Sequence, residues 1–268
     1  MKVALVSVSD GTGNMPFGLL TMASYIEHHS RHWVDIVDAS FENPIERLTA
    51  GNYDLIGISA MTPEYLRAVR MAKFLRGAMG GACPPIIVGG VHVTNLPQDL
   101  RPEFNAAVIG EGEAPMLAAI NRFADGFPIE TAARPAPLNL VDFPDLRLDK
   151  IHPGYFKRRA LPNFAAFGVE AQLMTSRGCP YKCYFCCGGH TWQTLRFFSE
   201  AWVVKQMKAF ANCGVTHLSI YDDVFALNKS RLRRIGDMMR AEGLHERMEL
   251  YCNGKANAID NEILDLLE

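Results

Sequence analysis

Short runs of consecutive apolar residues alternate along the first half of the chain with stretches whose apolar positions recur every three or four residues. That is the pattern of strands buried on both faces and of the helices that cover them. The runs fall at residues 3–8, 33–37, 55–59, 86–88 and 106–109, and they predict a parallel α/β sheet with helices on both sides. Pro16 opens a first helix with Leu19, Ala23 and Ile26 on one face. Thr62, followed by Pro63, is placed to cap a second helix carrying Tyr65, Val69 and Ala72. In open sheets of this kind ligands lie beyond the carboxyl ends of the strands. The segments there are Asp10-Gly11-Thr12-Gly13-Asn14, Ser59-Ala60-Met61-Thr62, Gly89-Gly90-Val91-His92 and Gly110-Glu111-Gly112-Glu113. Their glycines serve either close backbone approach to a ligand or tight turns, and both readings stay open.

Periodicity fades after Ala124, where Pro128, Pro135, Pro137, Pro144, Pro153 and Pro162 accumulate. This predicts a linker over 126–168, with Phe143, Leu146, Tyr155 and Phe156 as its packing points. A second alternation follows. Strands are expected at 171–175, 218–221 and 248–252, and Ser199, Asn228 and Asp260 each stand where a helix should start. Val203, Met207 and Phe210 mark the buried face of the first of these helices, and Leu232, Ile235 and Met239 that of the second; Gly214 and Gly243 follow their ends. The expected organisation is a domain over 1–125, the linker, and a domain over 169–268.

A net charge of −2 with 21% charged residues gives no basic field, so a nucleic-acid partner is not suggested. No apolar run reaches the ~20 residues of a membrane helix. Met1 to Val8 read as a strand rather than a signal peptide, so the expected location is the cytoplasm. The seven cysteines are an odd number, and four of them fall in one loop, which argues for a metal site over a disulfide framework.

Three of those four, Cys179, Cys183 and Cys186, are spaced Cys-x3-Cys-x2-Cys directly after an expected strand. Three thiolates this close can ligate three irons of a cubane cluster and leave the fourth open. With Phe185 before the last cysteine, the motif resembles the signature of the radical S-adenosylmethionine (SAM) superfamily. The resemblance implies a 4Fe-4S cluster on Cys179, Cys183 and Cys186, SAM on the open iron, and Phe185 near the adenine. It also implies that Asp222 or Asp223, in the acidic turn after the next strand, receives the SAM ammonium group. Arg196 and Ser199 fall where the family often shows an arginine and a serine, whereas Lys255 stands where many relatives carry arginine. Cys187 and His190 are outside the motif. A zinc site using some of these cysteines and His190 is the alternative.

The Pro16-Phe17-Gly18-Leu19 helix start and the glycine-rich strand ends resemble the cobalamin-binding domain that precedes the barrel in one class of these enzymes. The implied fold is a flavodoxin/Rossmann-like cobalamin-binding domain followed by the first half of a radical SAM (βα)6 partial barrel, which would make the chain a piece of a longer protein. The implied corrinoid contacts are Ser59, Thr62, Gly89, Gly90, His92, Gly110, Glu111 and Gly112. No Asp-x-His-x-x-Gly motif is present, so no lower cobalt ligand can be named. The implied activity is SAM cleavage to a 5′-deoxyadenosyl radical with cobalamin-dependent methyl transfer to an unactivated carbon. Rearrangement or cyclisation is the nearest alternative, and a non-catalytic corrinoid-binding module with a zinc-stabilised appendage is the alternative from another class. The expected partners are a small-molecule substrate and an electron donor such as flavodoxin or ferredoxin.

Overall fold

The computed structural model describes residues 1–9, 14–132, 134–157, 168–186, 188–192 and 194–268, with Gly189 and His190 described by their backbone alone. The expected turn residues at 10–13, the linker's Pro162 and Cys187 lie outside the described residues. The chain divides into two units, Met1–Leu138 with Leu146–His152, and Asn139–Asp145 with Pro153–Glu268.

In the first unit the apolar runs form β1 (Lys2–Ser7), β2 (Trp33–Asp38), β3 (Leu55–Ser59), β4 (Ile86–Gly89) and β5 (Ala106–Ala107). All pair in parallel in the order β2-β1-β3-β4-β5, the flavodoxin-type order. The helices are α1 (Phe17–His29), α2 (Pro44–Ala50), α3 (Tyr65–Met79), α4 (Val91–Asn95) and α5 (Glu113–Ala124). Because strand side chains alternate, each face of the sheet builds its own core. Val6, Ile56, Ile58 and Val88 pack with Tyr65, Ala68 and Leu75 of α3 on one side. Val3, Leu5, Leu55 and Ile87 pack with Leu19 and Ile26 of α1 and Met116 and Ile120 of α5 on the other.

Two helix starts differ from expectation. Pro16 is the N-cap of α1 and not its first helical residue. Thr62 opens a 3-10 turn, Thr62–Glu64, whose capping bond runs from the Met61 N–H to the Glu64 carboxylate at 3.2 Å. α2 was not expected, although Asn43 caps it by accepting from the Ile45 N–H and Pro44 follows at its first position.

In the second unit, β6 (Glu170–Leu173) is followed by β7 (Ser176–Arg177), α6 (Gly188–Thr191), β8 (Arg196–Phe197), α7 (Glu200–Asn212), β9 (His217–Ile220), α8 (Lys229–Ala241), β10 (Glu249–Cys252) and α9 (Asn261–Leu267). β6, β9 and β10 form a parallel sheet in the order β10-β9-β6, whereas β7 and β8 pair antiparallel with each other. Ser199, Asn228 and Asp260 each accept from a backbone N–H three residues on, as capping requires. Leu173, Leu218, Val203, Met207 and Phe210 are fully buried between sheet and helices.

The stretch expected as a linker is shared out. Residues up to Leu138 and Leu146–His152 pack with the first unit, Asn139–Asp145 with the second. In the first unit Arg147 and Lys150 pair with Glu27 of α1 at 2.6 and 2.7 Å. In the second, the Trp202 indole donates to Pro144 O at 3.0 Å and Phe143 meets the Phe198 ring edge-on at 5.3 Å.

Candidate functional site

Strand register sets out the carboxyl edge of the first unit. Asp38, Ser7, Ser59 and Gly89 are successive cross-strand partners, so four strands end in one row. Beneath that row Ser59, Gly89 and Gly90 line a narrow cleft whose other wall is Leu19, Met22 and Met116. Its volume of about 40 Å³ holds only a few waters. The unbranched thioethers of Met22 and Met116 are suited to moving aside for a larger occupant. Sequence reasoning missed Met22 and Met116, since at helical spacing they read as core.

The glycines divide by cause. Gly90 has φ +100°, and a Cβ there would come within 2.5 Å of Ala60 O, so this turn demands glycine with or without a ligand. Gly110 has φ +86° and its N–H donates to Thr94 Oγ1 at 2.9 Å. Gly112 caps α5, with the Met22 methyl where its Cβ would stand. Glu111 is buried in the same turn.

His92, an expected corrinoid contact, is held within the fold. It is buried and stacked on Tyr65 at 3.8 Å. Its Nε2 lies 2.9 Å from Asp99 Oδ2 and its Nδ1 3.3 Å from Thr62 Oγ1. Both nitrogens are occupied inside the protein, so His92 offers no ring nitrogen to a ligand, and it is the Thr62 hydroxyl that it engages.

In the second unit the cysteine loop leaves and rejoins the fold through the β7–β8 pair, Ser176 opposite Phe197 and Arg177 opposite Arg196. Gly178 turns the chain out of this clasp at φ +91°, where any Cβ would collide with the Thr194 carbonyl oxygen. Arg177 is buried, with the rings of Phe143, Trp192 and Phe198 each within 6 Å of its guanidinium. Within the loop the Cys186 N–H donates to Cys183 O at 3.0 Å, and the Gly188 N–H reaches Cys186 Sγ at 3.3 Å. Cys179 and Cys183 are half-buried, Cys186 is exposed, and none is in a disulfide. Phe185 stands 78% exposed at the tip, edge-on against Tyr184.

The two aspartates after β9 separate clearly. Asp222 is 1% exposed, and its carboxylate accepts four hydrogen bonds, from the N–H and hydroxyl groups of Thr175 and Ser176, at 2.6–3.0 Å. Burial pushes its carboxyl up, against the pull of those donors. Both of its oxygens are engaged inside the protein, which sets it apart from its neighbour. Asp223 is exposed, and its Oδ2 and Cys186 Sγ both approach Gly188. Partial burial, and then the neighbouring Asp222, push the Asp223 carboxyl up. Lys255, just beyond β10, places its ammonium 3.6 Å from the centre of the Tyr181 ring in the cysteine loop.

Among the described residues no three His, Cys, Asp or Glu side chains are gathered closely enough to hold a metal ion. The donor chemistry of the loop nonetheless fits an iron–sulfur cluster: three thiols on a short loop at a strand end, one already accepting a backbone N–H. No described helix is long and apolar enough to cross a membrane.

Residues 4–120 match the family model of the B12 binding domain. The chain is 28% identical over 260 residues to an uncharacterised methyltransferase of Pyrococcus horikoshii, covering 87% of this chain and 54% of that protein. It is 30% identical over 200 residues to the anaerobic magnesium-protoporphyrin IX monomethyl ester cyclase of Rubrivivax gelatinosus, covering 64% of this chain and 33% of that one. The chain thus spans about half the length of the first of these curated relatives and about a third of the second. Among solved structures, the radical S-adenosylmethionine methyltransferase TsrM from Kitasatospora setae, with cobalamin and a 4Fe-4S cluster bound, matches with a TM-score of 0.76 at 18% identity, over 99% of this chain and 58% of that one. That likeness is one of fold.

Proposed function

We propose that this chain is the corrinoid-binding domain and the cluster-bearing half-barrel of a cobalamin-dependent radical SAM enzyme that methylates an unactivated carbon of a small molecule. The observation that carries the reading is the coincidence, in one chain, of a B12 binding domain match over residues 4–120 and a three-thiol loop beyond the carboxyl end of a parallel strand. Cys179, Cys183 and Cys186 would hold the cluster. Bound there, the cluster and SAM supply a 5′-deoxyadenosyl radical, and the corrinoid supplies a transferable methyl group. The chain's own part is to bind and orient. Asp223, the exposed aspartate of the pair, would receive the SAM ammonium in a charge-assisted pairing. Ser59, Gly89 and Gly90, with the methionine wall opposite, would receive the corrinoid. An electron donor such as flavodoxin or ferredoxin would reduce the cluster.

Anaerobic reconstitution with iron and sulfide tests the reading. The wild-type chain should take up iron and labile sulfide in equal amounts and show the EPR spectrum of a reduced 4Fe-4S cluster, and Cys183→Ala should not. Stoichiometric zinc in place of iron, or a cluster that survives Cys183→Ala, overturns it. Hydroxocobalamin added to the same protein should co-purify with its visible spectrum. Cyclisation is the second reading, favoured by the Rubrivivax relative. In the full-length enzyme the appearance of label from methyl-labelled SAM in the product separates methylation from cyclisation.

A further inference from the structure

The loop that carries the thiols is gripped at its base by groups that touch none of them. Thr175 and Ser176 lead into the loop, and all four of their donors converge on Asp222 at the end of β9. Phe198 leads out of it, and its N–H donates to Thr175 O at 3.0 Å. Arg231, 4% exposed on α8, spans the two limbs: its Nη2 donates to Thr175 O and to Phe198 O, each at 3.0 Å. Its Nη1 lies 3.4 Å from Thr175 Oγ1, the same hydroxyl that donates to Asp222, so one threonine oxygen links the buried cation to the buried anion. The Phe197 ring stands 4.9 Å from the guanidinium carbon.

We propose that Asp222 and Arg231, acting through Thr175, are positioning residues that fix both ends of the cysteine loop before any cluster is bound. The inference deepens the proposed function and rests on it only for its consequence, that a loop already closed at its base loses less freedom when its thiols are drawn together. It also divides the labour between adjacent aspartates: Asp222 holds the loop in place, while Asp223 faces what the loop binds.

Asp222→Asn turns an acceptor into a donor in a buried site and can cost the fold itself, so the decisive pair is Thr175→Val and Thr175→Ser. Valine keeps the shape and removes the linking hydroxyl, and serine restores it. Hydrogen exchange on the full chain, purified without iron, should show the amides of Ser176, Arg177 and Arg196–Phe198 at least about tenfold faster in Thr175→Val than in wild type. The amides of α7 and α8 should be unchanged, and Thr175→Ser should be close to wild type. In reconstituted protein the valine variant should also shift the EPR spectrum of the reduced cluster on addition of SAM. Equal exchange in Thr175→Val and wild type, acceleration spread evenly over the unit, or no rescue by serine would overturn the clamp. Failure of the wild-type chain to load a cluster sinks the cluster reading alone, because the exchange pattern is read without it.

Discussion

Single residues explain which candidate positions serve the fold and which remain open to chemistry. His92 followed a strand and a glycine pair, which made it a candidate contact, but its packing under Tyr65 and its bonds to Asp99 and Thr62 are tertiary, two of the three partners lying some thirty residues earlier. His92→Ala should therefore lower stability by about 2 kcal/mol, through a lost ring stack and an orphaned polar partner. It should leave the visible spectrum of bound hydroxocobalamin unchanged, and a spectral change would make His92 a corrinoid contact after all. Gly178 is the opposite case, a glycine whose identity is dictated by the backbone around it. With φ +91° and a backbone oxygen where the Cβ would be, Gly178→Ala should cost about 1–3 kcal/mol in denaturant unfolding and prevent cluster uptake. Asp223→Asn should do neither, while weakening SAM binding measured by calorimetry on the reconstituted protein. The sequence alone left Asp222 and Asp223 equivalent, because nothing in a dipeptide says which carboxylate turns inward.

At the scale of elements, what was legible depended on length and periodicity. The strands of both sheets lay within a few residues of their apolar runs, since consecutive aliphatic residues bounded by turn signals have few other readings. The helix caps at Ser199, Asn228 and Asp260 were equally plain, because capping is a local bond. The β7–β8 clasp was not: each strand is two residues long, too short for any alternation, and their pairing spans the whole cysteine loop. The cleft was half legible. Its glycine side announced itself, but Met22 and Met116 belong to α1 and α5 and carry only a core pattern. Filling that wall gives its test. Met22→Phe replaces a mobile side chain with a rigid ring and should weaken hydroxocobalamin binding at least about tenfold, or about 1.4 kcal/mol, while overpacking costs about 1–3 kcal/mol of stability. Unaltered affinity would place the corrinoid away from the cleft.

At the scale of the molecule, the chain builds two units and divides its proline-rich middle between them, so that Leu146–His152 belongs to a sheet domain that ended, by sequence, some twenty residues earlier. Proline removes periodicity, and what remains is a series of single anchors whose partners sequence cannot supply. Glu27 is the partner for this strap. It is buried in α1, accepts from the Val34 N–H at 2.9 Å, and faces both Arg147 and Lys150. Lys150 is itself buried and lies 3.7 Å from the centre of the Trp33 ring. A buried ammonium that loses its carboxylate is costly, about 3–5 kcal/mol in comparable pairs, whereas Arg147 keeps Asp149 at 2.7 Å and stays partly in solvent. Glu27→Gln should therefore free the strap rather than unfold the sheet. Hydrogen exchange should quicken in residues 146–152 and at the start of β2, tryptophan emission should change through Trp33, and β3 and β4 should hold their protection. Lys150→Met in the same background removes the stranded charge and should recover most of the loss. A double variant no better than Glu27→Gln alone would mean that the strap is held by its apolar contacts, Leu146 and Ile151, and not by the ion pair.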